Sequence, residues 1–190
     1  MATRLATKEL LINSIGEVFV SKGYDGATLA HLALATGLSK ASLYHHFPGG
    51  KTEMAQVLIR HTIARLHGEA FSYLTLQLDP IERLSLFIDG FADYVHQGRS
   101  DCLLAVFNHH GTASDEAISD LQEIIASQFA DWHNILSAVY VAAGRKNKRS
   151  RREAHDLIAA LYGALLNSKI HNAPQLFVES VARLKKRIQK

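Results

Sequence analysis

Cysteine occurs once, at Cys102. No intramolecular disulfide is possible, and a cysteine-rich zinc or disulfide scaffold is excluded. Proline is equally sparse, with Pro48, Pro80 and Pro174 the three occurrences. No apolar run approaches the ~20 residues that a membrane span needs. Lys8 and Glu9 interrupt the N-terminal stretch before it takes on the layout of a signal peptide. A cytoplasmic chain without membrane contact is therefore expected. Hairpin signals are missing: no Asn-Gly or Asp-Gly turn lies between alternating strands. Charge of one sign is not dominant either. Lys and Arg number 21 against 18 for Asp and Glu, a net charge of +3 that permits an anionic partner without demanding one. Histidine is abundant at 11, yet no His-Glu-x-x-His or Cys-x-x-Cys spacing occurs. His109 and His110 are adjacent and point apart, so neither metal nor cofactor is expected.

What is present is apolar spacing of helical period. Hydrophobic content of 47% and charged content of 21% fit a globular chain of 190 residues. The pattern predicts an all-α protein of about nine helices. The first runs over 5–22, with Gly23 as its stop. Short helices follow over 29–35 and 40–47, closed by Pro48-Gly49-Gly50. Longer ones are predicted over 51–76, 80–97, 115–141, 152–170 and 174–190, with a short one over 102–108. Gly98–Asp101, Gly111–Ser114 and the basic run 145–152 read as loops, the last of them solvated.

Residues 28–47 carry the most information. A short helix, a turn holding Gly37 and a second short helix make the layout of a helix-turn-helix. Gly37 permits a positive φ in the turn, and Thr28 and Ser39 are positioned as N-caps. Leu43 and Phe47 would face the core. The opposite face then shows Lys40, Ala41, Ser42, Tyr44, His45 and His46. Lys40 suits phosphate, the small Ala41 allows approach to base edges, Ser42 donates or accepts, and the three rings can bond phosphate or stack on sugars. The plain alternative is a surface helix pair in which Tyr44 packs and His45-His46 is merely solvated.

The residues in this stretch resemble a known family. Gly23-Tyr24-Asp25-Gly26-Ala27-Thr28, then Ala33, Ala35-Thr36-Gly37-Leu38-Ser39, Ser42-Leu43-Tyr44-His45-His46-Phe47 and Lys51 resemble the N-terminal domain of TetR-family bacterial regulators. The run Leu43 to Lys51 carries one extra residue, as in the branch of LmrA- and YxaF-like repressors. The resemblance implies a helix-turn-helix DNA-binding domain over 1–50 and a ligand-binding and dimerisation domain over 51–190. It implies a ligand-responsive transcriptional regulator, a repressor and not an enzyme. Such a protein binds palindromic double-stranded operator DNA as a dimer and is released by a small-molecule effector, unknown here. Thr28, Ser39, Lys40, Ala41, Ser42, Tyr44, His45, His46 and Lys51 match its DNA-contacting positions. The Pro48-Gly49-Gly50 insertion bears on the placement of Lys51, and His31 stands where an acidic residue is frequent.

The rest of the chain is less specific. Ile158, Leu161, Tyr162 and Leu165, with small residues among them, make a helix apolar on more than one side. One side fits the monomer core and another a homodimer through the last two helices, as the resemblance suggests; a central core helix within a monomer is the alternative. Phe87, Phe91 and Tyr94 share one helix face, and with Phe107 and Trp132 they are either plain core or the lining of an effector pocket. Thr62, Cys102 and His110 are its polar candidates. Cys102 reads either as a thiol sensor at a helix start or as a small buried hydrophobe, and Asp101 beside it disfavours the thiolate. A helical enzyme and a partner-binding module without DNA contact stand as alternatives of other classes. The first lacks a recognisable nucleophile-base spacing, and the second leaves the Tyr44-His45-His46 face unexplained.

Overall fold

The computed structural model describes residues 2–107 and 116–189, with side chains for 8–107 and 119–189. His110 and the turn expected at 111–114 lie outside the described residues. Nine α-helices and two 3-10 segments make up the described chain, which contains no strand. The helices are α1 (Ala2–Gly26), α2 (Leu29–Thr36), α3 (Lys40–His46), α4 (Gly50–Glu69), α5 (Pro80–Tyr94), α6 (Leu103–Phe107), α7 (Glu116–Ala142), α8 (Asn147–Ile170) and α9 (Pro174–Ile188). The chain forms two compact units, 1–63 with 102–126, and 64–101 with 127–190.

In the first unit, α1 presents Ile12, Ile15, Val18 and Phe19 to a core shared with Leu32, Leu43, Met54 and Leu58. Gly16 lets Leu58 approach, since a Cβ there would sit 3.3 Å from its Cδ1. Gly23 breaks α1 as expected: at φ 68° and ψ 174° it takes a positive-φ conformation open essentially only to glycine, though outside the left-handed helical well, and a further turn leads to Gly26. That turn brings Tyr24 back over Phe19, ring centroids 6.0 Å apart, and Phe107 packs against both.

The second unit is built on an aromatic chain. Phe71 stacks on Trp132 at 4.7 Å and meets Phe87 edge-on at 4.8 Å. Phe129 touches Trp132 and Tyr162, and Phe91 bridges Tyr162 to Phe177. Helix α9 is tied to α5 by Lys185 on Asp89 at 2.5 Å. The rings of His133 and His155 stack at 3.7 Å, and burial together with the His155 charge lowers the His133 pKa from its ordinary value.

Beyond α1, which runs on to Gly26, three boundaries differ from the sequence reading. Helix α4 ends at Glu69, and 71–76 is not its continuation but a 3-10 segment, Phe71–Thr75. The pair Phe71 and Leu74 is three apart, a spacing that keeps both residues on one buried face in either helix type. Helix α5 stops at Tyr94, because His96, Gln97 and Gly98 all take positive φ. Gly98 is required there, as a Cβ would lie 2.7 Å from that of Phe177. The basic run is not a solvated loop: α8 starts at Asn147. Ser150 is fully buried, bonding the Asn147 carbonyl at 2.9 Å, and Glu153 pairs with Arg149 at 2.6 Å and Arg145 at 3.3 Å. The i,i+4 spacing of Arg149 and Glu153 was the sequence signal for a helix here.

Helix α5 crosses the end of α4 with backbone touching backbone. A Cβ on Gly90 would come within 2.2 Å of the Glu69 carbonyl oxygen and 2.9 Å of the Ala70 Cα. Gly90→Ala should therefore destabilise the protein by about 3 kcal/mol, the upper end for overpacking, read as a lower urea midpoint. An unchanged midpoint would contradict this crossing.

Candidate nucleic-acid interface

The exposed face of α3 is held by what lies beneath it. Leu32 from α2 and Leu43 and Phe47 from α3 and its cap are buried, and they fix the angle between the two helices. Gly37 joins them in the left-handed conformation, φ 69° and ψ 10°. Each helix start is closed by its own side chain. The Thr28 hydroxyl accepts from the His31 N–H at 3.2 Å, and Ser39 Oγ accepts from the Ser42 N–H at 3.1 Å. His31 closes a reciprocal capping box, its Nδ1 accepting from the Thr28 N–H at 3.4 Å. Sequence reasoning left His31 without a role; its place three residues after a threonine cap was the available signal.

With the interior and the caps so occupied, Lys40, Ala41, Tyr44, His45 and His46 are exposed on one side of α3, and Ser42 is half-buried beside its cap. Tyr44 is 47% exposed, its ring edge lying against Gly50. The polar groups of Lys40, Tyr44, His45 and His46 make no hydrogen bond or ion pair among the described residues. They are free to meet a ligand.

The inserted Pro48-Gly49-Gly50 turn is ordered by α4. The Gly49 N–H donates to Glu53 Oε2 at 2.7 Å, and Gly50 takes φ 64°. Lys51 is half-buried: its Nζ donates to the Tyr24 carbonyl at 3.0 Å and lies 4.3 Å from the centre of the Tyr24 ring. The Tyr24 hydroxyl bonds Thr52 Oγ1 at 2.9 Å. These contacts clamp the start of α4 to the end of α1.

The residues named for an effector pocket separate into groups. Phe87, Phe91 and Trp132 come together with Phe71, Leu66 and Tyr162 around a cavity of only about 10 Å³, roughly the room of one water. Trp132 Nε1 is buried there without a hydrogen-bond partner among the described residues. Tyr94 is buried under the Arg65 guanidinium, 5.2 Å from its ring centre. Thr62, Cys102 and Phe107 are buried in the other unit. On α8, Ile158, Leu161 and Leu165 are buried within the chain and Tyr162 is half-buried. The large apolar residues that α8 exposes are Leu166, at 57%, and Ile170, at 70%.

Comparison with known proteins agrees with this geometry. A family model described as bacterial regulatory proteins of the tetR family matches residues 11–58. A second, described as the C-terminal domain of LmrA/YxaF-like transcriptional regulators, matches residues 80–181. The chain belongs to the TetR family of transcriptional regulators, in its LmrA/YxaF-like branch. The HTH-type regulator YxaF of Bacillus subtilis is 28% identical over 184 residues, covering 93% of this chain and 87% of YxaF. LmrA of the same organism is 27% identical over 82 residues, 43% of this chain and 44% of LmrA. Among solved structures, a TetR regulator from Chloroflexus aurantiacus superposes with a TM-score of 0.81 at 20% identity, covering 100% of this chain and 98% of that one. The structure of AibR in complex with isovaleryl coenzyme A and operator DNA gives a TM-score of 0.66 at 17% identity, covering 83% and 86%. Within this TetR-family chain, the helix-turn-helix is the α2–α3 pair, and the family identifies a regulator rather than an enzyme.

The cap geometry makes a direct prediction. Thr28→Ala should cost about 1 kcal/mol, as at other N-caps, and His31→Ala should cost less because the hydroxyl bond survives. Equal stability of the Thr28 variant and the parent in urea titrations would rule out the reciprocal cap.

Proposed function

We propose that this chain is a ligand-responsive repressor. Residues 1–50 bind palindromic operator DNA, and residues 51–190 bind a small-molecule effector and pair two copies. One observation carries the DNA reading: α3 is a capped helix whose outward donors, Lys40, Tyr44, His45 and His46, make no hydrogen bond or ion pair among the described residues. Such a face fits the major groove, with Ala41 and Ser42 nearest the bases and Lys40 and Tyr44 toward the backbone. The N–H groups in the first turn of α2, which the Thr28 cap leaves over, suit a phosphate. Lys51 serves the same surface through its clamp on Tyr24 as well as through its charge.

For the effector, the aromatic cluster around Trp132 is the favoured site. A buried indole N–H without an acceptor costs roughly 1–3 kcal/mol, and an apolar molecule bearing one acceptor would relieve that. With so little room in the unliganded state, binding requires Phe71, Phe87 and Tyr162 to repack. That coupling supports release of DNA by the effector, and operator must then weaken effector binding by the same factor. AibR, which has been captured with both an acyl coenzyme A and operator DNA, is a precedent for the two functions in one fold. For the dimer, we propose the last two helices, with Leu166, Ile170 and Val178 at the contact and exposed Ala159 and Gly163 allowing close approach. Ile158, Leu161, Tyr162 and Leu165 hold that face from within.

Binding to a labelled duplex from upstream of the protein's own gene tests the first part. Affinity should fall with salt at a slope of about −0.9 per phosphate contact. Lys40→Gln should weaken binding and flatten the slope by roughly one unit per half-site, and Tyr44→Ala should weaken it with unchanged stability. Wild-type affinity in both variants would sink the assignment of this face. The dimer is tested separately by sedimentation: the parent should run at twice the 21.0 kDa chain mass, and the double variant Leu166→Glu, Ile170→Glu as a folded monomer. A double variant that stays dimeric would remove this interface.

A further inference from the structure

Between the end of α7, the start of α8 and the end of α9 lies a cavity of about 280 Å³. Its walls carry four guanidinium groups, Arg145, Arg149, Arg152 and Arg187, against two carboxylates, Glu153 and Asp156. Glu153 is already shared between Arg145 and Arg149. The guanidinium groups of Arg152 and Arg187 have no hydrogen bond or ion pair to any described residue. Tyr140 also lines the cavity; it is only 3% exposed, and its hydroxyl makes no hydrogen bond among the described residues. Burial and the Glu153 charge push the Tyr140 pKa up to about 12, so the phenol keeps its proton and is a donor at any ordinary pH. Helix α8 adds its positive end, since its N-cap Lys146 supplies no side-chain bond to the first-turn N–H groups.

We propose that this cavity is a binding site for a small phosphorylated molecule, held by Arg152 and Arg187 from the sides and by the Tyr140 hydroxyl at the base. The site is distinct from the aromatic cluster around Trp132. Four cations facing two anions leave a surplus that only an incoming anion neutralises. Planar guanidinium groups match the paired oxygens of phosphate, and each such bond is charge-assisted. The concave shape decides between sources of phosphate. A terminal phosphate reaches a phenol so deeply buried, whereas a diester within a duplex is flanked by sugars on both sides and stays at the rim.

Calorimetric titration of the full chain with pyrophosphate, at constant ionic strength in chloride, tests the proposal. One saturable site per chain is expected. Arg152→Gln with Arg187→Gln replaces two exposed side chains and should weaken binding at least about tenfold. Tyr140→Phe removes one donor and should weaken it severalfold. Arg183→Gln, on the same helix but paired with Glu179 outside the cavity, should leave it unchanged. Should Tyr140→Phe fold poorly, the arginine pair decides alone. The proposal is overturned if pyrophosphate does not saturate, if the Arg152 and Arg187 variant binds as the parent does, or if Arg183→Gln weakens binding equally. It is also overturned if that arginine pair changes affinity for a DNA duplex and not for pyrophosphate.

Discussion

Burial of Leu32, Leu43 and Phe47 under α2 and α3 is the constraint on which the proposed recognition surface depends. Helices of eight and seven residues do not hold together in water alone. They exist because three large apolar side chains are buried beneath them, with α2 packed on α1 and α3 on α2, and because Thr28, His31, Ser39 and Gly37 satisfy their ends. Once those side chains point inward, the helical period leaves Lys40, Tyr44, His45 and His46 no other direction than outward. A regulator needs this surface in one shape whether or not DNA is present, since every disordered side chain or loop would lower affinity when it was fixed on binding. The Lys51 clamp on Tyr24 and the Glu53 bond to Gly49 extend the same rigidity through the Pro48-Gly49-Gly50 turn.

The second unit solves a different problem. Its aromatic chain from Phe71 to Phe177 is packed so closely that backbone meets backbone at Gly90 and side chain at Gly98. Dense packing makes such a core respond to an intruding molecule by discrete rearrangement rather than by gradual yielding. Among its aromatic side chains, Trp132 Nε1 is buried without a hydrogen-bond partner among the described residues. The cavity at the start of α8 has the opposite character, open and cationic, with its space already formed. An apolar core that must open and a polar cavity that already has its space would respond to different chemistries.

Much of the first unit was legible because its signals are local. A threonine or serine before each short helix, a glycine between them and apolar residues four apart specify caps, turn and buried face within twenty residues. His31 was missed because histidine rarely takes the acidic partner's place in a capping box. The basic run was misread because six positive residues outweighed the single Glu153 that pairs with them, and because the burial of Ser150 depends on Ser137, thirteen residues away.

By itself, the sequence determined the helical class, the order of the helices, the caps of α2 and α3 and the family, since each depends on neighbours in the chain or on a motif read in order. The tertiary structure alone decided where α4 and α5 stop, which aromatic side chains share a core, and that Phe107 packs with Phe19 and Tyr24 rather than with Phe91. It also decided which side of α8 remains uncovered and that arginines from two helices and a loop surround one tyrosine. Those outcomes depend on residues far apart in the chain meeting in space, and helical periodicity states which way a side chain points but not what it will meet.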